Sequence, residues 1–387
     1  MRRSASRPVS VKNQRPNTRN RDRRGGVFWR LGQWVWCGSI WHKLAVVVLA
    51  FVVLVIGGLY GVARWYIGKH ANEPLRLGTT FVANYAEGFG LDPETTLDAI
   101  LGDMGMKRVR LVSYWKDIEA TPGVYDFSKL DRQFEIAARH NAKVSLAIGL
   151  RQPRWPECHE PKWVQALPKS QWQPLLFNFI AEVVERYKTN PILQDYQLEN
   201  EFFMTVFGEC KDFDRQRLID ELTLVKRHDP SHPIVISRSN NWVGLPLGRP
   251  RPDQFAISVY KRVWDATVTK RYFEYPLPAW FYASLAGGAE LLTGKSMVIH
   301  ELQAEPWPPN GQLVVNTSLE EQYKSMNARR MKDRIAYARS TGMRTIDLWG
   351  AEWWYWLKVK KNSPDVWNIV KEAVVDSQIK NRQLSSR

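Results

Sequence analysis

The run from Leu44 to Ala63, LAVVVLAFVVLVIGGLYGVA, holds twenty residues without a charge, and about 20 apolar residues is what a helix needs to cross the hydrocarbon core of a bilayer. We read one transmembrane helix over 44–63, which divides the chain into a short N-terminal segment and a long body. Residues 1–43 carry 11 Lys/Arg against one acid, Asp22, whereas only Arg64, Lys69 and His70 follow the run closely. The positive-inside rule then predicts a cytoplasmic N-terminus and a body on the far side of a cell membrane. A cleaved secretory signal is the rival reading, but the region before the apolar run is too long and no small-x-small site follows it.

The formal net charge of +16 is concentrated in that N-terminal segment, and the body is only mildly basic. Residues 1–26, rich in Arg, Ser, Asn and Pro, have too few large apolar groups to bury a core and are expected to be disordered. Anionic lipid is their expected partner; no nucleic-acid motif accompanies them. Trp29, Trp34, Trp36 and Trp41, interleaved with Phe28, Leu31 and Val35, suit the headgroup region. Cys37 falls before the span. Cys158 and Cys210 fall in the exported body, where an oxidising compartment permits a disulfide between them. No CxxC pair or HExxH spacing occurs, so neither a metal nor another cofactor is expected.

Residues 64–74 read as a linker, 75–376 as the folded domain and 377–387 as a tail. Hydrophobic residues at 44% and charged ones at 24% are the proportions of a globular body. Short apolar or β-rich runs recur at Leu75–Phe81, Arg108–Val112, Lys143–Gly149, Leu193–Leu198, Ile234–Ser237, Phe255–Val259, Met297–His300 and Thr345–Leu348. Between most of them lie helical patterns, notably Gln171–Lys188, Phe213–His228 and Leu319–Ser340. Asp92-Pro93-Glu94 opens one helix, and Ser128 with Asp131 reads as the start of another. Alternating strands and helices predict an α/β fold, a (β/α)8 TIM barrel preceded by a single N-terminal transmembrane helix. Only Trp242–Asp253 separates the fifth and sixth strands, too short for a full crossover helix, so a doubly wound sheet stands as the minor alternative.

Glu199-Asn200-Glu201 follows the fourth strand and Glu301 follows the seventh, which in a barrel brings both carboxylates to the C-terminal face where active sites form. Two acids on one pocket suit glycoside cleavage, one protonated to donate to the leaving oxygen and one ionised to attack the anomeric carbon. A lone Glu at a strand end more often caps a helix or pairs with a base; the pairing across two strands is what points to chemistry.

Asn200-Glu201, Glu301 within VIHELQAEPW, Trp349 within LWGAEWW, and the stretch RVRLVSYWKDIEATPGVYDFSKLD together resemble glycoside hydrolase clan A, in its cellulase-like and β-galactosidase-like branches. The resemblance covers about residues 75–360. It implies a retaining glycosidase with Glu201 as general acid/base, Glu301 as nucleophile and Asn200 bonded to the sugar 2-hydroxyl. It further implies that Arg110 orients Glu301, that Tyr260 donates to it, and that Trp349 floors the sugar subsite, with Trp115 as a second stacking candidate. Each has a plainer reading: Arg110 as a buried ion-pair partner, Tyr260 as a satisfied core hydroxyl, and the Trp353-Trp354-Tyr355-Trp356 run as core. Glu305, four residues past Glu301, competes for the nucleophile or a substrate-binding role. His300 departs from the small residue or Thr expected beside the nucleophile; it tunes the pocket or points into the barrel wall.

The leading expectation is a membrane-anchored retaining glycosidase acting by double displacement on an envelope or extracellular poly- or oligosaccharide, with transglycosylation as a variant. An inactive barrel that binds carbohydrate and a membrane-surface scaffold acting through its basic tail are the competing classes. The sugar and linkage are not readable from this fold.

Overall fold

The computed structural model describes residues 39–238 and 248–386. The basic tail, Phe28, Trp29, Leu31, Trp34, Val35, Trp36 and Cys37, and the first half of the Trp242–Asp253 connection lie outside the described residues. The chain divides into two compact units, Met1–Gly58 and Leu59–Arg387.

A single helix, Ile40–Lys69, carries the apolar run. It is the one helix among the described residues long and apolar enough to cross a membrane. Val47, Leu49, Phe51 and Leu54 are largely exposed on it. The last residues of the expected 44–63 span belong instead to the second unit. There Tyr60 meets Trp280 edge-on at 5.8 Å, and Ala63 and Tyr66 are buried. Val62 lies so close to Gly287 that a Cβ there would stand 2.8 Å from its Cγ1; only glycine allows the approach. Residues 40–58 rise about 29 Å as a helix, close to the hydrocarbon thickness, but only 44–58, about 22 Å, are uncharged, so Lys43 would have to reach back to the headgroups.

Among its described residues the second unit has ten strands: β1 (Arg76–Thr80), β2 (Arg108–Val112), β3 (Lys143–Ile148), β4 (Leu193–Leu198), β5 (Ile234–Arg238), β6 (Gln254–Val259), β7 (Arg262–Asp265), β8 (Arg271–Glu274), β9 (Met297–Gln303) and β10 (Thr345–Trp349). Eight of them close a parallel barrel in the order β1-β2-β3-β4-β5-β6-β9-β10, while β7 and β8 form a separate antiparallel hairpin. The doubly wound alternative is excluded by this closure. No crossover helix lies between β5 and β6 among the described residues, and helix Ala279–Thr293 connects the hairpin to β9.

Strand alternation sorts the residues into two environments. Val109, Leu111, Val144, Leu146, Tyr196 and Ile257 join the main core beneath the helices. Their neighbours turn into the barrel, where Arg108 bonds Asp195 at 3.0 Å and Asp347 at 3.0 Å and Ser145 donates to Asp195. Val235, Ala256 and Val298 form a small apolar cluster of their own. This barrel therefore holds a charged interior layer where branched aliphatics usually dominate, and the cations and carboxylates must be paired to be buried at all.

Several boundaries differ from expectation. Ser128 does not cap its helix: Phe127 occupies the cap position and Asp126 accepts from the Ser128 amide at 2.9 Å. The 319–340 pattern is two helices, Leu319–Ser325 and Ala328–Arg339, because Asn327 breaks the run and caps the second through the Arg330 amide. The final helix, Asp365–Ser385, runs past residue 376, and Asn381 bonds both the amide and the carbonyl of Leu75. Residues 377–385 are thus helix rather than a loose tail, tied to the barrel through Gln378 and Asn381.

Candidate active site

The loop after β4 is built around Glu199. Its carboxylate accepts the amides of Leu150 at 2.6 Å and Arg151 at 3.0 Å, and Nη1 of Arg217 at 2.9 Å. Gly149, at φ +105°, makes this possible, since a Cβ there would meet Glu199 Oε1 at 2.5 Å. Glu199 and Glu201 both adopt left-handed backbone, φ +53° and +43°, at a cost of about 1–3 kcal/mol each that the Glu199 contacts must offset. Such strain concentrates at functional sites. Here it turns Glu199 down into the loop and Glu201 into the barrel mouth.

Glu301 arrives there by a different device. The register between β6 and β9 slips between Ile257 and Ser258, so that Ser258 lies beside Glu301 rather than His300. β9 also runs on to Gln303, which places Glu301 within the strand and not just past its end. Arg110 Nη2 donates to Glu301 Oε1 at 2.7 Å, and the Tyr260 hydroxyl donates to Oε2 at 2.8 Å. Arg110 is itself fixed by Thr80 Oγ1 at 2.9 Å and Gln197 Oε1 at 2.8 Å.

Ser258, on β6, donates to Glu201 Oε1. Two residues on, Tyr260 lies just past the end of that strand and holds the other carboxylate. The Glu201 amide is tied to Ser237 Oγ at 2.8 Å. Burial, and after it the nearby Glu301 carboxylate, push Glu201 up to about 7. Burial holds Tyr260 well above the phenol range, so it remains a donor. Burial, reinforced by Arg110, keeps His300 neutral; its Nδ1 lies 3.3 Å from Arg110 Nη1.

Asn200 faces a third acid. Its Nδ2 donates to Glu157 Oε2 at 3.0 Å, and its Oδ1 accepts from Gln197 at 3.0 Å. Burial raises Glu157 to about 8. Arg151, 1% exposed, has no hydrogen-bond partner among the described residues for any of its guanidinium nitrogens and stands 3.6 Å from Glu157. Ser258, Glu157 and Arg151 were missed from sequence. The period-2 step from Tyr260 would have flagged Ser258, whereas nothing local marks the other two.

Two aromatic expectations need correction. Trp115 is fully buried, stacked on Phe179 and edge-on to Trp163, with Nε1 donating to Glu119 at 2.6 Å; no ring face is left for a sugar. Trp349 lies at the mouth, but the Arg154 guanidinium covers it at 4.1 Å from the ring centre and is sandwiched on its other side by Tyr85 at 3.5 Å. Arg154 pairs with Glu305, which also accepts from Tyr85 at 3.2 Å. Glu305 is thus engaged with Arg154 and Tyr85, whereas Arg110 and Tyr260 converge on Glu301. Trp353, Trp354 and Trp356 are buried. Cys158 and Cys210 are joined by a disulfide, S–S 2.06 Å, linking the loops after β3 and β4.

Glu157, Glu201 and Glu352, raised to about 8, 7 and 7 mainly by burial, tie stability to pH. An unfolded Glu releases its proton near 4.3, so between about pH 4.5 and 8 the folded state holds protons that the unfolded state has lost, and stability falls as pH rises. Thermal melts are expected to show a lower midpoint at pH 8 than at pH 5. Glu201→Gln, which cannot ionise, should lessen that fall; an undiminished fall would mean Glu201 does not contribute.

The closed barrel with two carboxylates at the C-terminal ends of its fourth and seventh barrel strands has the fold of the clan A glycoside hydrolases. Among solved structures it is similar to xylanase 10B from Thermotoga maritima (14% identity, 82% of this chain and 98% of that one, TM-score 0.51). It is also similar to the exo-β-1,4-mannosidase Op5Man5 from Opitutaceae bacterium strain TAV5 (12%, 79% and 60%, TM-score 0.51). A third is a GH5_18 protein from Bifidobacterium longum subsp. longum in complex with Manβ1-4GlcNAc (11%, 71% and 68%, TM-score 0.51). The chain thus spans 60% of the mannosidase's length, and it spans 52% of a β-galactosidase from Halorubrum lacusprofundi. No family model matches the sequence, and no curated protein does.

Proposed function

We propose that the chain is a membrane-anchored retaining glycoside hydrolase, with Glu201 as acid/base, Glu301 as nucleophile and the catalytic body outside the cytoplasmic membrane. The observation that carries this reading is the unequal treatment of two neighbouring carboxyls. Glu201 is pushed up to about 7, whereas Glu301 receives a guanidinium and a phenol. The first is then a proton donor at neutral pH and the second is held by two donors as the attacking group, the division of labour that glycoside cleavage needs.

In the first step Glu301 attacks the anomeric carbon, the bond to the leaving oxygen breaks, and Glu201 gives that oxygen its proton. In the second, Glu201 takes a proton from water, whose oxygen displaces Glu301 from the sugar. Asn200 and Arg151 supply donors to ring hydroxyls, and Tyr260 and Arg110 hold the Glu301 carboxyl in place for attack. Trp349 acts as a stacking floor only when Arg154 withdraws from it. The substrate is a poly- or oligosaccharide, in keeping with the xylanase, the mannosidase and the disaccharide complex that share the fold. Residues 40–58 are the anchor, with the N-terminus cytoplasmic by its arginines.

Incubation with 2-deoxy-2-fluoro-β-glycosides carrying a good leaving group tests the assignment. The expected result is a covalent sugar on the peptide that contains Glu301, seen by mass spectrometry and absent in Glu301→Gln. A label on Glu305 would move the nucleophile. A panel of glycosides that neither label nor hydrolyse would favour the carbohydrate-binding reading.

A further inference from the structure

The body's own geometry fixes the side of the barrel on which the chain enters it. Because β6 and β9 are parallel, helix Ala279–Thr293 between them must run back from the C-terminal face of the barrel to its N-terminal face. Residues 59–70 lie along this helix in the same direction. Tyr60 meets Trp280 at its start, Val62 and Tyr66 cross Gly287 at its middle, and Lys69 and His70 pair with Glu290 near its end. His70 finally gives its carbonyl to Arg344 at 2.6 Å, just before β10 begins. Leu59 therefore lies at the rim that carries Glu201 and Glu301. The apolar run ends at the same place, so the bilayer surface is covalently tied to that rim, whatever tilt the preceding segment adopts.

The rim is dressed for such a surface. Trp155, Val206, Val268, Phe273 and Leu313, on the loops after β3, β4, β6 and β9, are 60%, 81%, 84%, 44% and 63% exposed. Val268 tops the β7–β8 hairpin, whose turn is held by Asp265 accepting the amides of Thr267, Val268 and Thr269. Beside the hairpin a cleft of about 730 Å³ is lined by Arg262, Arg271 and Lys324 against one acid, Glu321. Exposed apolar tips among cations, with Tyr60 and Trp280 at the entry point, are the composition of a surface that seats in an anionic headgroup layer.

We propose that the active-site mouth of this protein faces the bilayer and that its substrate is a glycan held at the membrane surface by a lipid. This rests on the anchored-glycosidase reading above and specifies its substrate class. A lipid-tethered glycan is confined to the layer that the mouth faces, which raises its effective concentration at the site without any added contact.

The test uses the full chain in vesicles of zwitterionic and anionic phospholipid bearing a nitroxide at headgroup depth. A fluorophore is placed at Val268→Cys, or at Ile379→Cys on the final helix near Leu75, each with Cys37→Ser. Strong quenching at 268 and little at 379 is expected; the reverse pattern, or quenching at neither, overturns the orientation whether or not the protein is active. Co-flotation with the vesicles checks the anchor separately. Turnover is then compared on one aryl glycoside, free in solution and carrying an embedded alkyl chain. The embedded form should be cleaved about tenfold faster at equal bulk concentration. The double substitution Val268→Ser with Phe273→Ser should remove that advantage while leaving the soluble rate unchanged. Equal rates on both forms would overturn the substrate class, whereas no Glu201-dependent cleavage of either form would overturn the glycosidase reading itself.

Discussion

Glu301→Gln is expected to lower kcat by on the order of 10⁵-fold or more on every substrate, the scale of loss when a covalent nucleophile is removed. The amide cannot attack, and Glu305 is not free to take its place, because it is engaged with Arg154 and Tyr85. Glu201→Gln should behave differently. General acid–base assistance contributes about 10²–10⁴-fold, but an aryl leaving group needs little protonation to depart. The Glu201→Gln variant should therefore retain the first step on activated aryl glycosides, accumulate glycosyl-enzyme, and be rescued by azide, which needs no base. Wild-type activity should decline as pH rises through about 7, where Glu201 loses the proton it must donate. Steady-state rates on activated and unactivated substrates, with and without azide, check this. Equal losses for the two variants on all substrates would contradict the division of roles.

Arg108→Met is expected to be the most damaging change to stability outside the site. The Arg108 guanidinium is 4% exposed and is shared between Asp195 and Asp347 inside the barrel. Its removal leaves two buried carboxylates without a cation, a loss of about 3–5 kcal/mol of the kind seen when one partner of a buried pair is deleted. Asp195 keeps only Ser145 in partial compensation. Urea unfolding should show the drop. Arg110→Met, one interior layer higher, should act more on turnover than on folding. Glu301 would keep Tyr260 but lose the Arg110 bond that aims its Oε1, so kcat should fall while the urea midpoint moves less. An Arg108 variant as stable as wild type would mean that the charged layer is not integral to the barrel.

Much of the fold was legible because strand and helix periods are local properties. Eight runs of β-rich sequence alternating with helical patterns sufficed for a barrel, and Asn200-Glu201 after one strand and Glu301 on another sufficed to nominate the carboxylates. Where the reading failed, the cause was not local. Trp115 looked like a sugar platform until packing against Phe179 and Trp163 enclosed it. Trp349 is at the mouth, but its face belongs to Arg154, a residue from the loop after β3. The β7–β8 hairpin follows Tyr260 so closely that its strands read as part of one connection.

The sequence by itself determined the apolar run, the alternation of elements, the two cysteines of the body and the acids available for chemistry, because each depends on residue type and short-range spacing. Tertiary structure alone decided that the apolar run gives up its last residues to Gly287 and Trp280, that a one-residue slip between β6 and β9 brings Glu301 beside Ser258, and that Glu201 is buried enough to keep its proton near neutral pH. Those outcomes depend on what the far side of the barrel supplies. A carboxyl's proton affinity is set by the dielectric and charges that surround it in space, and these are contributed by strands scores of residues apart in the chain.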